Sequence, residues 1–244
     1  MIFNRKKQLF LLHFAGGNCY SYDFLKKYVN SDFEFIPLEL PGRGRRFNQN
    51  LLYDKDDSIE DYITQILSKR NNKPYVIYGH SMGATLGLHV VNRMEEIKDS
   101  PLYLVVSGNP GPGIKELIEK DEKKGKRFLM NDFEFKNELR ELGGIPEEIL
   151  ENEELYAFFN PILRADFEIL EKNVLEEKKI KIKTPIYALM GSEENDNTKI
   201  NNWQNFTFGE FHYQILSGDH FFINNHPDKI ANVILALQHN YIKT

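Results

Sequence analysis

The segment Tyr75–Gly87, YVIYGHSMGATLG, places a serine where a chain can make a nucleophile. An apolar, β-prone run (Tyr75, Val76, Ile77, Tyr78) meets Gly79-His80-Ser81-Met82-Gly83, and a helical pattern follows. This is the G-x-S-x-G elbow, in which a strand turns sharply into a helix and lifts the central serine above the sheet edge. Such a turn strains the backbone at Ser81. Side chains at positions 79 and 83 are expected to clash with the neighbouring strand and helix, which accounts for the two glycines. N–H groups at the start of the helix face the space over Ser81, where an oxyanion would develop during acyl transfer.

A serine nucleophile needs a base, and the base needs an orienting acid. In this arrangement the partners follow in the order Ser, acid, His. Phe211–Ser217 (FHYQILS) reads as a strand, and Gly218-Asp219-His220 closes it, so His220 is the candidate base. His226 opens a His-Pro-Asp helix start and reads as an exposed turn residue. His13, His89, His212 and His239 lie in strand or helix patterns where a packed or surface imidazole is the default. Strand alternation points His80 away from Ser81. Upstream, the strand-like Pro185–Met190 runs into Gly191-Ser192-Glu193-Glu194-Asn195-Asp196. Glu194 is the first choice of acid, Asp196 the second and Glu193 the third, each able to hold an imidazole and stabilise its cation. The oxyanion hole takes its second donor from a loop after an early strand. Gln8–Phe14 is that strand and Ala15-Gly16-Gly17-Asn18 that loop. The expected donors are the backbone N–H groups of Met82 and of Ala15 or Phe14.

These residues need a scaffold that brings strand ends together. Strands are expected near 8–14, 33–40, 75–80, 102–107, 185–190 and 211–217, with helices near 20–29, 58–70, 82–97 and 227–241. Alternation of this kind indicates one α/β domain over 1–244, with a mostly parallel sheet flanked by helices. It is interrupted at about 108–175, an insertion opened by the turn cluster Gly108–Gly113. The run Glu119–Arg127 reads as a solvated helix end or loop. Helical periodicity returns at Leu155, Phe158, Phe159, Ile162, Leu163, Phe167 and Leu170, with Pro161 expected to start a helix or kink one. An insertion at this place forms a lid. Most of its apolar stripe is expected to pack on the core, and Phe158, Phe159 and Ile162 are the candidates for lining an acyl pocket.

The chain has 244 residues, enough for a sizeable core, and its net charge of −5 gives no reason to expect nucleic acid. A single Cys19 excludes an internal disulfide and agrees with a reducing, cytoplasmic setting. Cys19 reads as a small buried residue. No apolar run approaches the ~18 residues of a membrane span. No metal-ligand spacing is present.

Taken together the motifs resemble those of type II thioesterases, the stand-alone hydrolases that accompany nonribosomal peptide and polyketide synthases in antibiotic biosynthesis. Phe14-Ala15-Gly16-Gly17 is similar to the family's F-x-x-A-G-G loop, Leu40–Arg46 to its L-P-G-R segment, and Gly79–Ala84 to its G-H-S-M-G-A elbow. Leu142-Gly143-Gly144-Ile145-Pro146 and Pro161–Phe167 resemble its lid signature, and Gly218–Phe222 its G-x-H-F-F ending. The resemblance implies an α/β-hydrolase fold with a helical lid and maps the triad acid to Glu194, where the family usually has Asp. It also shows a departure at His13, where the family has Pro.

The resemblance further implies hydrolysis of acyl or aminoacyl thioesters on the phosphopantetheine arms of carrier domains, for editing or release. No cofactor of the protein's own is implied, since the substrate carries the phosphopantetheine, and a monomer is expected. Arg43, Arg45 and Arg46 are either surface charges or contacts for an acidic carrier protein. Arg164 and Asp166 are expected to pair with each other and fix the lid helix. The rival readings are a carboxylesterase or lipase on small oxygen esters, and a carrier-binding module whose Glu-for-Asp exchange has weakened catalysis.

Overall fold

In the first strand Leu9 and Leu11 are buried on one face and Phe10 and Leu12 on the other, so no polar residue alternates between them. A strand covered on both faces belongs to a parallel sheet sandwiched between helices. The computed structural model, which describes residues 5–114, 126–172 and 179–237, has that architecture. Six strands run parallel: β1 (Lys7–Leu12), β2 (Phe33–Leu38), β3 (Tyr75–His80), β4 (Tyr103–Ser107), β5 (Ile186–Gly191) and β6 (Phe211–Leu216), in the order β2-β1-β3-β4-β5-β6. Phe10, Leu12, Ile77 and Val106 meet helices α2 (Lys55–Lys69) and α3 (Met82–Glu96). Leu9, Leu11, Val76 and Val105 meet α1 (Asp23–Val29) and α7 (Pro227–Leu237).

The register sets where chemistry can occur. Leu12 pairs with Gly79, His80 with Ser107, and Gly191 with Leu216. The loops that leave β1, β3, β5 and β6 therefore emerge along one carboxyl edge, where ligands bind in open parallel sheets. The expected strands all form, within two residues at either end. The C-terminal helix is described as far as Leu237.

Between β4 and β5 lie a short helical turn (Arg127–Leu129) and the helices α4 (Asp132–Leu142), α5 (Glu147–Glu151) and α6 (Glu153–Glu171). The residues 119–125 of the charged run lie outside the described residues. Phe135, Leu139, Leu150, Tyr156, Leu163 and Phe167 form a core private to this insertion. Ile169 instead enters the main core, which anchors α6 to the sheet layer. Pro161 neither starts this helix nor ends it. Asn152 is the cap, accepting the N–H groups of Glu154 and Leu155 through Oδ1 at 3.0 Å each, and Pro161 sits inside α6 on an exposed position. Among the described residues no helix is long and apolar enough to cross a membrane.

Candidate active site

Ser81 is held at φ 52°, ψ −110°, a conformation L residues adopt only under constraint. The constraint is visible on both sides. A Cβ on Gly79 would lie 2.0 Å from the carbonyl oxygen of Gly83, and one on Gly83 would lie 2.1 Å from that of Leu12. Helix α3 can approach strands β3 and β1 this closely only because both positions are glycine. Ser81 N–H donates to Ser107 O at 2.8 Å, tying the elbow to β4. Asn109 Nδ2 reaches Thr85 Oγ1 at 3.0 Å and Ser81 O at 3.4 Å, a brace that the sequence offered only as part of a turn cluster.

His220 lies on the loop after β6, and its Nδ1 meets Glu194 Oε2 at 2.8 Å. The other carboxylate oxygen, Oε1, accepts the N–H of Gly191 at 2.8 Å. Glu194 thus folds back on the end of its own strand, which absorbs the extra methylene relative to Asp. The two loops are laced together: Ser192 N–H donates to Leu216 O, and Glu193 N–H to Gly218 O. Gly191 permits this, since a Cβ there would lie 2.3 Å from Asp219 O. Asp196 and Glu193 face a separate, polar cavity that also touches His220 and Glu194, and neither bonds to the imidazole among the described residues. Ser81 and His220 line one cavity. No hydrogen bond joins them among the described residues, the loose geometry common to free hydrolases before substrate tightens it.

His80 does not turn away from the site altogether. Its ring lies beneath His220, with centroids 4.9 Å apart, and its Nδ1 meets Ser107 Oγ at 2.9 Å. Burial, and secondarily the neighbouring His220, hold its pKa well below the ordinary histidine value, so it stays neutral. His13 is likewise buried and lowered to about 4, chiefly by desolvation and then by Arg43. Both shifts have one sign. The unfolded chain takes up these protons near pH 6.5 and the folded chain only far lower, so stability is full above 6.5 and falls on acidification towards 4. For His13 the loss is on the order of 3 kcal/mol. Urea midpoints at pH 7, 5.5 and 4.5 check it: the slope should be shallower in His13→Leu than in the wild type.

The charged residues of the lid are arranged otherwise than the sequence suggested. Asp166 does not pair with Arg164. It takes a bidentate bond from Arg43, Nη1 to Oδ2 at 2.6 Å and Nη2 to Oδ1 at 2.8 Å, and accepts Gly16 N–H at 2.8 Å. Arg43 is therefore no surface charge: it is 3% exposed and Asp166 fully buried. Arg46 is also engaged, on Asp61 and on Glu39 O, leaving Arg45 as the exposed member of the three. Arg164 instead binds Asp132 and the carbonyls of Phe128 and Met130, so it fixes the lid internally. One carboxylate thus joins α6, the loop after β2 and the loop after β1. Asp166→Ala leaves a buried guanidinium unpaired and should cost about 3–5 kcal/mol of stability. Adding Arg43→Met should recover much of that loss in urea unfolding, because the orphaned charge is gone.

Of the loop amides after β1, Gly16 is spent on Asp166 and Gly17 on Phe14 O at 2.8 Å. Those of Ala15 and of Met82 take no partner among the described residues. Phe14, Ala15, Gly16, Ser81 and His220 share the wall of a cavity of about 220 Å³. Its far side is lid: Leu139, Leu142, Ile145, Ile149, Phe159 and Leu163 among others. Of the three lid candidates only Phe159 is on this wall. Phe158, 61% exposed, and Ile162 face a separate surface hollow with Gly42, Phe47 and Tyr53. The apolar stripe covers more than one face of α6, and which face looks at Ser81 depends on how the helix is rotated against the core. The segment Leu142–Pro146, whose sequence resembles the family's lid signature, also supplies wall residues. Its signal was the glycine pair: Gly143 and Gly144 have φ 71° and 80°, and a Cβ on Gly144 would lie 2.0 Å from the Phe221 ring.

The geometry provides a strained serine, a carboxylate-oriented imidazole, two unspent amides and an apolar chamber with one wall made by a lid. That is the equipment of acyl transfer through a serine ester. Comparison with known proteins bears on the family. Residues 7–237 match the family model described as a thioesterase domain. The chain is 28% identical over 240 residues to a protein of Brevibacillus parabrevis named linear gramicidin dehydrogenase LgrE, covering 96% of this chain and 88% of that one. Among solved structures, ClbQ from the colibactin NRPS/PKS pathway superposes with a TM-score of 0.85 at 25% identity, covering 96% of this chain and 98% of that one. The type II thioesterase BorB from the borrelidin biosynthetic cluster gives 0.82 at 28% identity, with 96% and 93% covered.

Proposed function

This chain belongs to the thioesterase family, and from that premise we propose that Ser81, His220 and Glu194 form a triad that hydrolyses acyl or aminoacyl thioesters. The thioesters are those on phosphopantetheinyl carrier domains of a peptide or polyketide synthase, in editing or release. The observation that carries the reading is the joint placement of the strained Ser81 and the Glu194-oriented His220 on one apolar, lid-walled cavity. The pathway is supported by ClbQ, which comes from the colibactin NRPS/PKS pathway, and by BorB, a type II thioesterase from the borrelidin biosynthetic cluster. The gramicidin relative is named a dehydrogenase; the loop after β1 here reads Ala15-Gly16-Gly17, too short and in the wrong pattern for a phosphate-binding loop.

Ser81 Oγ attacks the thioester carbon while His220 Nε2 takes its proton, and Glu194 holds Nδ1–H and steadies the imidazolium. The carbonyl oxygen becomes an oxyanion held by the N–H groups of Met82 and Ala15. Collapse of the adduct breaks the C–S bond, and the pantetheine sulfur leaves as the thiol with the proton from His220. Water then repeats the sequence on the acyl-serine, giving the free acid and restoring Ser81. The lid keeps bulk water from the acyl chain.

The test is hydrolysis of acyl-phosphopantetheinyl carrier protein beside the p-nitrophenyl ester of the same acyl group. Faster turnover of the carrier thioester supports the reading. Cleavage of the oxygen ester alone would make the protein a general esterase, and silence on both would leave a carrier-binding module.

A further inference from the structure

The carbonyl of Phe14 accepts two hydrogen bonds, from Gly17 N–H and from His13 Nδ1, each at 2.8 Å. His13 Nε2 in turn accepts the N–H of Leu40 at 3.2 Å. These partners dictate the tautomer. A carbonyl oxygen only accepts and a backbone N–H only donates, so the proton sits on Nδ1 and Nε2 is bare. In a planar trans peptide the N–H points opposite to the C=O. Pinning the Phe14 carbonyl therefore aims the N–H of Ala15 the other way, while the neighbouring amides of Gly16 and Gly17 are consumed elsewhere.

We propose that His13 is a positioning residue for the oxyanion hole: it holds the Phe14–Ala15 peptide so that the Ala15 N–H is presented to the oxyanion formed on Ser81. This rests on reading Ala15 as the second donor. A hydrogen bond to an amide carbonyl also polarises the same amide's N–H, so His13 strengthens the donor it aims. The imidazole is fully buried, with Arg43 and Asp166 as its charged neighbours and the Tyr62 ring 6.1 Å away. Protonation would set an Nε2–H against Leu40 N–H. His13 is thus a fixed neutral donor and transfers no proton in turnover. Its second bond makes the loop after β2 the anchor of the loop after β1.

The alternative is that His13 merely fills space. A space-filler and a positioning residue differ in what they do to the transition state. Removing an oxyanion donor outright costs about 10²–10³ in kcat, and misaiming one should cost roughly tenfold. His13→Leu is therefore expected to lower kcat on acyl-pantetheine thioesters about tenfold with KM within about twofold. The affinity for an alkyl trifluoromethyl ketone, which forms a tetrahedral oxyanion on Ser81, should fall by the same factor as kcat/KM. Affinity for the thioether analogue, which has no carbonyl, should not change, and His13→Asn, a shorter donor, should recover part of the loss. A folded His13→Leu with wild-type kcat overturns the proposal, as does equal weakening of ketone and thioether. If the variant does not fold, the wild-type imidazole nitrogen spectrum decides: protonation on Nδ1 from pH 5 to 8 supports it, and protonation on Nε2 overturns it. Absence of Ser81-dependent hydrolysis would sink the functional reading, whereas ketone affinity and the tautomer are read without turnover and still judge His13.

Discussion

Ser81→Ala is expected to lower kcat for thioester hydrolysis by a factor on the order of 10⁶, with little change in the unfolding midpoint. The size follows from covalent catalysis: without Oγ no acyl-enzyme forms, and only the oxyanion donors and binding remain. The neutral effect on stability follows from the backbone. Ser81 holds φ 52°, and alanine suffers the same left-handed penalty as serine, so neither is relieved. Ser81→Gly should instead raise the midpoint, because glycine accepts that φ without strain. Hydrolysis rates at equal protein concentration and urea unfolding of the three proteins check this. Substantial activity in the alanine variant would remove Ser81 from the mechanism.

Glu194→Gln should cost about 10⁴ in kcat, whereas Asp196→Asn should stay within about twofold of wild type. Gly191 N–H donates to one oxygen of Glu194, so a glutamine must keep its carbonyl there. Its NH₂ then faces His220 Nδ1 as a donor and drives the ring proton to Nε2. An imidazole protonated on Nε2 cannot accept the proton of Ser81. Asp196 lies on the wall of the polar cavity and has no part in that tautomer. Steady-state kinetics of both variants at neutral pH separate the two carboxylates. Equal, small losses would mean that neither is the acid.

The elbow and its serine were legible because every cue there is local. A buried strand, two glycines around Ser81 and an amphipathic helix follow one another without interruption, and each glycine is required by a backbone contact within the strand–helix unit or with the adjacent strand. His220 was legible for a similar reason, standing at the end of a strand-like run. The six strands were readable from continuous apolar runs because both faces of a parallel sheet are covered. The acid was narrowed to three neighbours and no further, since choosing among them depends on the 2.8 Å approach of a loop from another strand.

Arg43 shows the limit most clearly. It follows a Pro-Gly turn in the basic segment Arg43-Gly44-Arg45-Arg46, the pattern of a surface loop, and it is buried because Asp166 comes down from the lid to meet it. The reading of Arg164 and Asp166 as a pair failed on the same ground, for residues on one helix face different elements. Phe158, Phe159 and Ile162 share a periodic stripe, yet only Phe159 faces Ser81, because helix rotation is set by packing.

By itself, then, the sequence determined the class of fold and pointed to the proposed nucleophile and base, whose signals are written in a few consecutive residues. The tertiary structure decided which carboxylate turns the imidazole, which lid residues wall the chamber, and that His13 braces the loop of Ala15. Those depend on contacts between segments far apart in the chain, whose geometry comes into being only when the sheet, its helices and the lid are packed together.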